Sequence, residues 1–558
     1  MLTLSLGRAA AALGLALGAG VLCVPAASAA PAGTGCPAGV DFRVGAAKAD
    51  ITPTSWPVAE AAYAIGRLGV GAAHPFWARA VAVQSCVDGH TAVFVALDSQ
   101  GYFTSYKEDP VSLDPTTGYG TTAIRATVAR DTGVPAANIT VAATHTHNSP
   151  DSVRIWDGGS VAANQEPYLG RVKTQTVTAI ETALNMLRPA RLSVGTADIG
   201  RLEDTYAQVR GDPQDYPTDS TLRVLHAQDA GSCQAIATLV NAGVHADVGG
   251  PIGPDEAHDL IDPDWPGRVA TNLETEQPGS TTVVLAGAVG RTGPSFPVGT
   301  DPGGADLTRI AAYGDLMTDR VHAALDTAAP VAAGPVAAID THLQEEIAEP
   351  ALIPLFADET GVPGAIGGLM RSVLPPYTKA TVLDAEVQTI RVASLVFDTV
   401  PGEPYPELAT VPAARVHTQV PPFTLGLADD QLGYTPPAFE YPVVALEDGG
   451  DEGFFTLNAH EGDDIINTHL TNAATLGLPV DPGTYDGATA GPVQPPGQDN
   501  PAPDPQHPPY PSSAVPAACG GGGGPAATMP EAPLPALLLV AGAGLGTAVL
   551  ARRRRAVR

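Results

Sequence analysis

A mixed α/β fold follows from three observations. Apolar, β-rich runs are joined by short turn signals, stretches of helical period lie between them, and no repeat of fixed period is present. In chain order, "RAVAVQSCVDGHTAVFVALD" (79–98) turns at Asp88-Gly89 and reads as a hairpin. A helical pattern covers 119–131, and "ITVAATHTH" (139–147) follows as a strand. Further helical patterns cover 166–186 and 306–328, and between them "TLRVLHAQDAGSCQAIATLV" (221–240) turns at Ala230-Gly231 as a second hairpin. No linker interrupts residues 41–470, which we treat as one body of catalytic size among the 558 residues.

The flanks differ in composition. Residues 1–30 carry Arg8, an apolar stretch and an Ala-Ser-Ala-Ala ending, the pattern of a secretory signal peptide. Residues 475–530 are Pro-rich and then Gly-rich, a spacer. Residues 532–551 are long and apolar enough to form a transmembrane segment, and 552–558 form a basic tail; arginines held on the cytoplasmic side place the body outside. A cleaved sorting tail shares this layout, although no Leu-Pro-x-Thr-Gly is present. Both readings put the protein at the outer face of the membrane or in the wall, tethered by its own C-terminal segment.

The formal charge of −30 argues against nucleic acid as a partner, and five arginines in the last seven residues make the remainder more acidic still. No protein partner is inferred. Export permits disulfides among Cys36, Cys86, Cys233 and Cys519. Cys86 and Cys233 flank the two hairpin turns and form a candidate pair, the connectivity being otherwise open.

Chemistry concentrates where strands end. The period-2 rule places Ile139, Val141, Ala143, His145 and His147 on one face, so both imidazoles continue a buried face. A satisfied buried histidine pair is one reading and metal binding the other. The arrangement recurs: "AIATLV" leads into "NAGVH" and delivers His245, and "ASLVFDTV" leads into "PGEPYPE" and delivers Glu403. Two histidines and a glutamate meet the needs of a catalytic zinc, which keeps a position open for water. Taken singly, Glu403 is also consistent with a solvated loop carboxylate. Among other charged residues, His74 and Asp98 sit at strand ends, Asp264 precedes a helix start as a candidate cap, and His258 reads as loop surface.

"VGAAKADITP" (44–53), "HPFWARAVAV" (74–83), "THTHNSPD" (144–151), "DPDWPGRV" (262–269), "VPGEPYPEL" (400–408) and "LGYTPP" (432–437) occur in the order seen in the neutral, non-lysosomal ceramidase family. The sequence resembles the N-terminal catalytic domain of that family over most of 41–450, as a divergent member. The resemblance implies zinc held by His145, His245, Glu403 and Tyr434, with His147 beside the metal-bound water. It makes Arg210, in "QVRGDP", the nearest match to an arginine that contacts the scissile region, against the plainer reading of a surface arginine.

The pattern also departs from the family's. "GRTGPS" places Arg291 where an aspartate and Gly293 where a serine would stand, and a second tyrosine that contacts the amide falls on Leu446, with Tyr441 nearby. The family's C-terminal immunoglobulin-like domain is expected to be absent. The resulting expectation is a secreted, surface-anchored, zinc-dependent amide hydrolase acting on an N-acyl, lipid-like compound such as ceramide. The alternatives are a catalytically inactive surface binding or adhesion module, or a metal hydrolase of an ester or small amide.

Overall fold

The computed structural model describes residues 36–490 except 64–65, 105, 107–113, 154–155, 157–161, 206–217, 251–257, 305–306, 349–381 and 442–454. The leader, Arg210, Leu446, the spacer beyond 490, the apolar segment at 532–551 and the basic tail therefore lie outside the described residues. Among the described residues, no helix is long and apolar enough to cross a membrane.

A nine-stranded mixed sheet runs, edge to edge, through Thr281–Ala286, Ala235–Ala242, Thr221–Asp229, Arg188–Asp198, Phe42–Asp50, Trp77–Ser85, Thr91–Leu97 and Ile139–Ala143, with Ala329–Pro330 added beside Arg188–Asp198. Neighbours are antiparallel except for two parallel pairs, 91–97 with 139–143 and 235–242 with 281–286. Both expected hairpins form, as strands 77–85 and 91–97 and strands 221–229 and 235–242.

Alternation sorts the side chains into two cores. Val44, Val83, Phe94, Leu225, Leu239 and Val283 face a second sheet of four strands, Val336–Glu346, Val382–Val392, Leu395–Thr399 and Phe423–Leu425, which supplies Ile390, Phe397, Phe423 and Leu425. Ala80, Val93, Val95 and Leu97 point the other way, toward helices Thr121–Thr132 and Ala162–Asn185. Val224, Val240 and Val284 do likewise beneath helices Asp264–Glu276 and Leu307–Asp326. Helices Glu407–Arg415 and Glu461–Thr475 cover the outer face of the smaller sheet through Leu408, Val411, Ile465 and Ile466. The architecture is a four-layer α/β/β/α sandwich. Gly45 allows the first helical layer to settle: a Cβ there would lie 2.1 Å from the Ala183 carbonyl oxygen.

Four details differ from expectation. The strand entering "THTH" ends at Ala143, and His145 adopts φ 65°. His145 and His147 therefore meet through a backbone bend rather than by strand alternation. Cys86 is bonded to Cys36 and not to Cys233; the backbone N–H of Cys86 donates to Asp41, which folds the N-terminal segment back beside it. His258 belongs to a short strand, His258–Ile261, beside Leu68–Ala72. Packing continues beyond 475: Leu478 and Tyr485 are buried against the helix at 461–475, and Val480 bridges Val416.

Candidate metal centre

Three loops leaving the C-terminal ends of strands supply the site, a placement usual for chemistry on a rigid scaffold. His145 follows strand 139–143, His245 follows strand 235–242, and Glu403 follows strand 395–399. Thr146 pairs with Ala246 in an isolated parallel bridge, and the His147 N–H donates to the Ala246 carbonyl, so the two histidine segments lie side by side. The Glu403 N–H donates to Gly433, and Glu403 and Tyr434 are register partners in a short parallel pair, which sets both side chains on one face.

The imidazoles of His145, His147 and His245 offer one nitrogen each within 4.8 Å of one another. His145 Nε2 and His147 Nε2 are 3.3 Å apart, and Glu403 Oε2 lies 3.4 Å from Nε2 of both His145 and His245. The far nitrogens of the two buried histidines are already committed: His145 Nδ1 donates to the Gln100 carbonyl and His245 Nδ1 to the Thr292 carbonyl, each at 2.8 Å. A carbonyl oxygen only accepts, so Nδ1 carries the proton and the Nε2 lone pair faces the common centre. That is how metal-binding histidines are ordinarily oriented. Gln431 Nε2 donates to Glu403 Oε1 at 3.2 Å and leaves Oε2 turned to the histidines.

The charged groups of the site perturb one another strongly. Burial works to raise Glu403, but the His145 and His245 imidazoles hold it well below the usual carboxylate range. Burial works to lower His245, and Glu403 raises it. His147 is pushed well down by burial and by its two histidine neighbours. Two or three imidazole nitrogens with one carboxylate oxygen are a donor set suited to zinc.

The "GRTGPS" segment proves to be part of the support. Thr292 supplies the carbonyl that orients His245, and its hydroxyl donates to Gly243 at 2.7 Å. Arg291 is buried, with NH1 2.8 Å from Glu440 Oε2 and its guanidinium over the Tyr405 ring. Its charge is therefore taken up inside the protein.

The remaining candidates have structural partners. Asp98 is buried and accepts from Arg79 at 2.7 Å and from the Trp77 N–H at 2.8 Å. His74 is mostly exposed, with Nδ1 2.6 Å from Asp262 Oδ2. Asp264 is the first helical residue rather than the cap. One of its oxygens accepts from Asn148 and from the Gly249 N–H, the other from the Trp265 N–H. A second group of cation-binding types, Asp340, His342 and Glu386, is already neutralised by Arg125, which pairs with both carboxylates.

Sequence reasoning missed Gln100, Thr292 and Gln431. The first two act through main-chain carbonyls, which carry no residue signature, and the third is brought in by a loop nearly thirty positions after Glu403.

Neither family models nor curated proteins match the sequence. Solved structures do. The chain is similar to neutral ceramidase from Pseudomonas aeruginosa, with a TM-score of 0.60 and 19% identity over 80% of this chain and 76% of that one. A ceramidase complexed with C2 matches with the same score and identity over 80% and 77%. The chain has the neutral ceramidase fold.

Proposed function

We propose that this protein is a metal-dependent hydrolase that cleaves an amide bond in an N-acyl, lipid-like compound, with zinc as the ion. The observation that carries the reading is the clustering of His145, His147 and His245, with Glu403 Oε2 3.4 Å from Nε2 of His145 and of His245 and the Nδ1 atoms of those two tied to main-chain carbonyls. The ceramidase fold is its support from outside the site. His145, His245 and Glu403 would hold the ion, and Tyr434, the register partner of Glu403, is proposed as a fourth ligand on the sequence resemblance. When bound, zinc would polarise the substrate carbonyl and favour ionisation of water.

The protein's own groups do the rest. The carbonyls of Gln100 and Thr292 keep the donor nitrogens aimed, and burial of His145 and His245 excludes bulk water. His147, only partly buried and with Nε2 3.3 Å from His145 Nε2, would take the proton of the attacking water and return it to the departing nitrogen. No side-chain nucleophile is required. Arg210 is proposed as a contact to the scissile region on the sequence resemblance alone. Export by the 1–30 leader and tethering by the 532–551 segment, outside the cell, are proposed on the sequence alone.

The test is hydrolysis of a fluorogenic N-acyl amide by the purified protein. Activity abolished by a chelator, restored by zinc and lost in His145→Ala supports the reading. Turnover indifferent to chelation, or metal binding without turnover of amides, rejects it, and preferential turnover of esters reassigns the substrate.

A further inference from the structure

The strand that delivers His145 has a separate feature at its other end. Asn138 stands immediately before strand Ile139–Ala143 and His145 beyond it, so 5 residues of strand, about 17 Å, lie between them. Beside Asn138 opens a cavity of about 920 Å³. Its wall is built from the hairpin turn at 89–91, the end of helix Thr121–Thr132 with the loop that follows, the end of helix Ala162–Asn185 and the start of strand Val336–Glu346. Val87 and Met186, 60% and 45% exposed, lie within two positions of wall residues and add apolar surface to its surroundings.

Two helices end at this cavity, and each brings the negative pole of its dipole. The first closes on Gly133, whose N–H returns to the Ala129 carbonyl; after the second, the N–H groups of Met186 and Leu187 fold back on Ala183 and Leu184. The cations nearby are already engaged. Arg130 grips both oxygens of Asp131 at 2.7 and 2.9 Å, and Arg43, which is not part of the wall, donates to Gln84 Oε1 at 3.1 Å and to the Leu187 carbonyl at 2.8 Å. His90 Nδ1 donates to the Val336 carbonyl at 3.2 Å. Two acceptors of the wall remain unused. Asn138 is more than nine-tenths buried and gives Nδ2 to the Thr91 carbonyl at 2.9 Å, while its Oδ1 accepts no hydrogen bond among the described residues. Half-buried Glu181 makes neither a hydrogen bond nor an ion pair among them. A buried acceptor left unmet at the wall of a cavity calls for a donor.

We propose that this cavity binds an aliphatic ammonium ion, its charged end against Glu181 and Asn138 Oδ1 and its chain along Val134, Leu184 and Leu187. An ammonium carries three donors and no acceptor, which suits a carboxylate, an amide oxygen and two helix C-termini together. An alcohol of the same length would leave the carboxylate charge unanswered, and a fatty acid would meet like charge. The site is distinct from the metal centre and does not depend on the hydrolase reading.

The experiment measures binding of n-hexylamine, n-hexanol and n-hexanoate to the full-length protein, pre-incubated with zinc, by titration calorimetry at pH 7.5, where the amine is protonated. The wild type is compared with Glu181→Gln and Glu181→Lys. The expected result is one hexylammonium per chain, bound roughly tenfold more tightly than hexanol, with no binding of hexanoate. Glu181→Gln should weaken the amine roughly tenfold and leave hexanol unchanged, and it should melt as the wild type does, because the carboxylate it replaces holds nothing in the fold. Glu181→Lys, which brings an ammonium of its own, should abolish amine binding. No amine binding, hexanol bound as tightly as hexylamine, or amine binding that survives in both variants overturns the site; the last result would place the amine elsewhere, the metal included. None of these outcomes involves turnover, so the hydrolase reading stands or falls separately.

Discussion

Gln431 reaches Glu403 through Oε1 and so decides where Oε2 points. Replacing Gln431 by Leu removes the donor at nearly the same volume. Zinc affinity, measured by competition with a chromophoric chelator, should fall about 10–100-fold, while the metal-free protein melts as before. Equal affinity would show that Glu403 is held by its backbone alone. Arg291 tests the opposite kind of residue. Its buried partner Glu440 would be left uncompensated in Arg291→Leu, with a loss of about 3–5 kcal/mol in denaturant unfolding. The double variant Arg291→Leu/Glu440→Leu should recover most of that loss, because both charges then leave together. His145, His245 and Glu403 were legible in the sequence because donor side chains at strand ends are a chemical signature. The carbonyls of Gln100 and Thr292 were not, since any residue at those positions offers the same oxygen.

The short parallel pair that joins Glu403 to Tyr434 depends on Gly433. That residue has φ 101°, and a Cβ on it would stand 1.9 Å from the Phe455 carbonyl oxygen. Gly433→Ala must therefore push the two segments apart. It should lower zinc affinity and the melting temperature together, unlike Gln431→Leu, which moves affinity only. The hairpins at 77–97 and 221–242 and the helices at 121–132 and 307–326 formed close to where turn residues and period placed them. The strand at 139–143 stopped four residues short of His147, and the backbone turns at His145, which has φ 65°. Alternation continued past that point was the wrong rule, although it still paired the right histidines. Asp264 misled in the same way: a residue suited to capping is instead used to hold Asn148 and Gly249.

Across the whole molecule, the sandwich buries several carboxyl groups in a chain of net charge −30. Burial and neighbouring Glu440 push Glu407 up to about 8, burial pushes Asp430 to about 7, and Glu60 is raised by burial to about 7 against the pull of Arg67. Each folded value exceeds the ordinary carboxylate value, so the native state binds these protons more tightly than the unfolded chain. The stability they confer is complete below about pH 4 and is lost as the pH rises through 7 to 8. Self-repulsion of the acidic chain acts in the same direction. His226, lowered to about 4 by burial, opposes them, weakening the fold as the pH falls from 6.5 to 4. Several carboxyls outweigh one histidine, so the chelator-treated protein should melt several degrees higher at pH 5.5 than at pH 8. Glu407→Gln should narrow that gap by raising the pH 8 value; an unchanged gap would assign the pH dependence to surface charge. The mixed α/β class was legible from period and turns, whereas the pairing of the two sheets was not, since both faces of the central strands are apolar and nothing local says which meets a helix. The most direct measurement is the zinc content of the purified protein combined with its zinc K-edge absorption spectrum. One tightly held zinc per chain, with imidazole nitrogens at about 2.0–2.1 Å and no binding in His145→Ala/His245→Ala, is the predicted result. A wild-type protein that takes up no zinc, or a double variant that binds it equally well, would contradict a metal centre at these histidines.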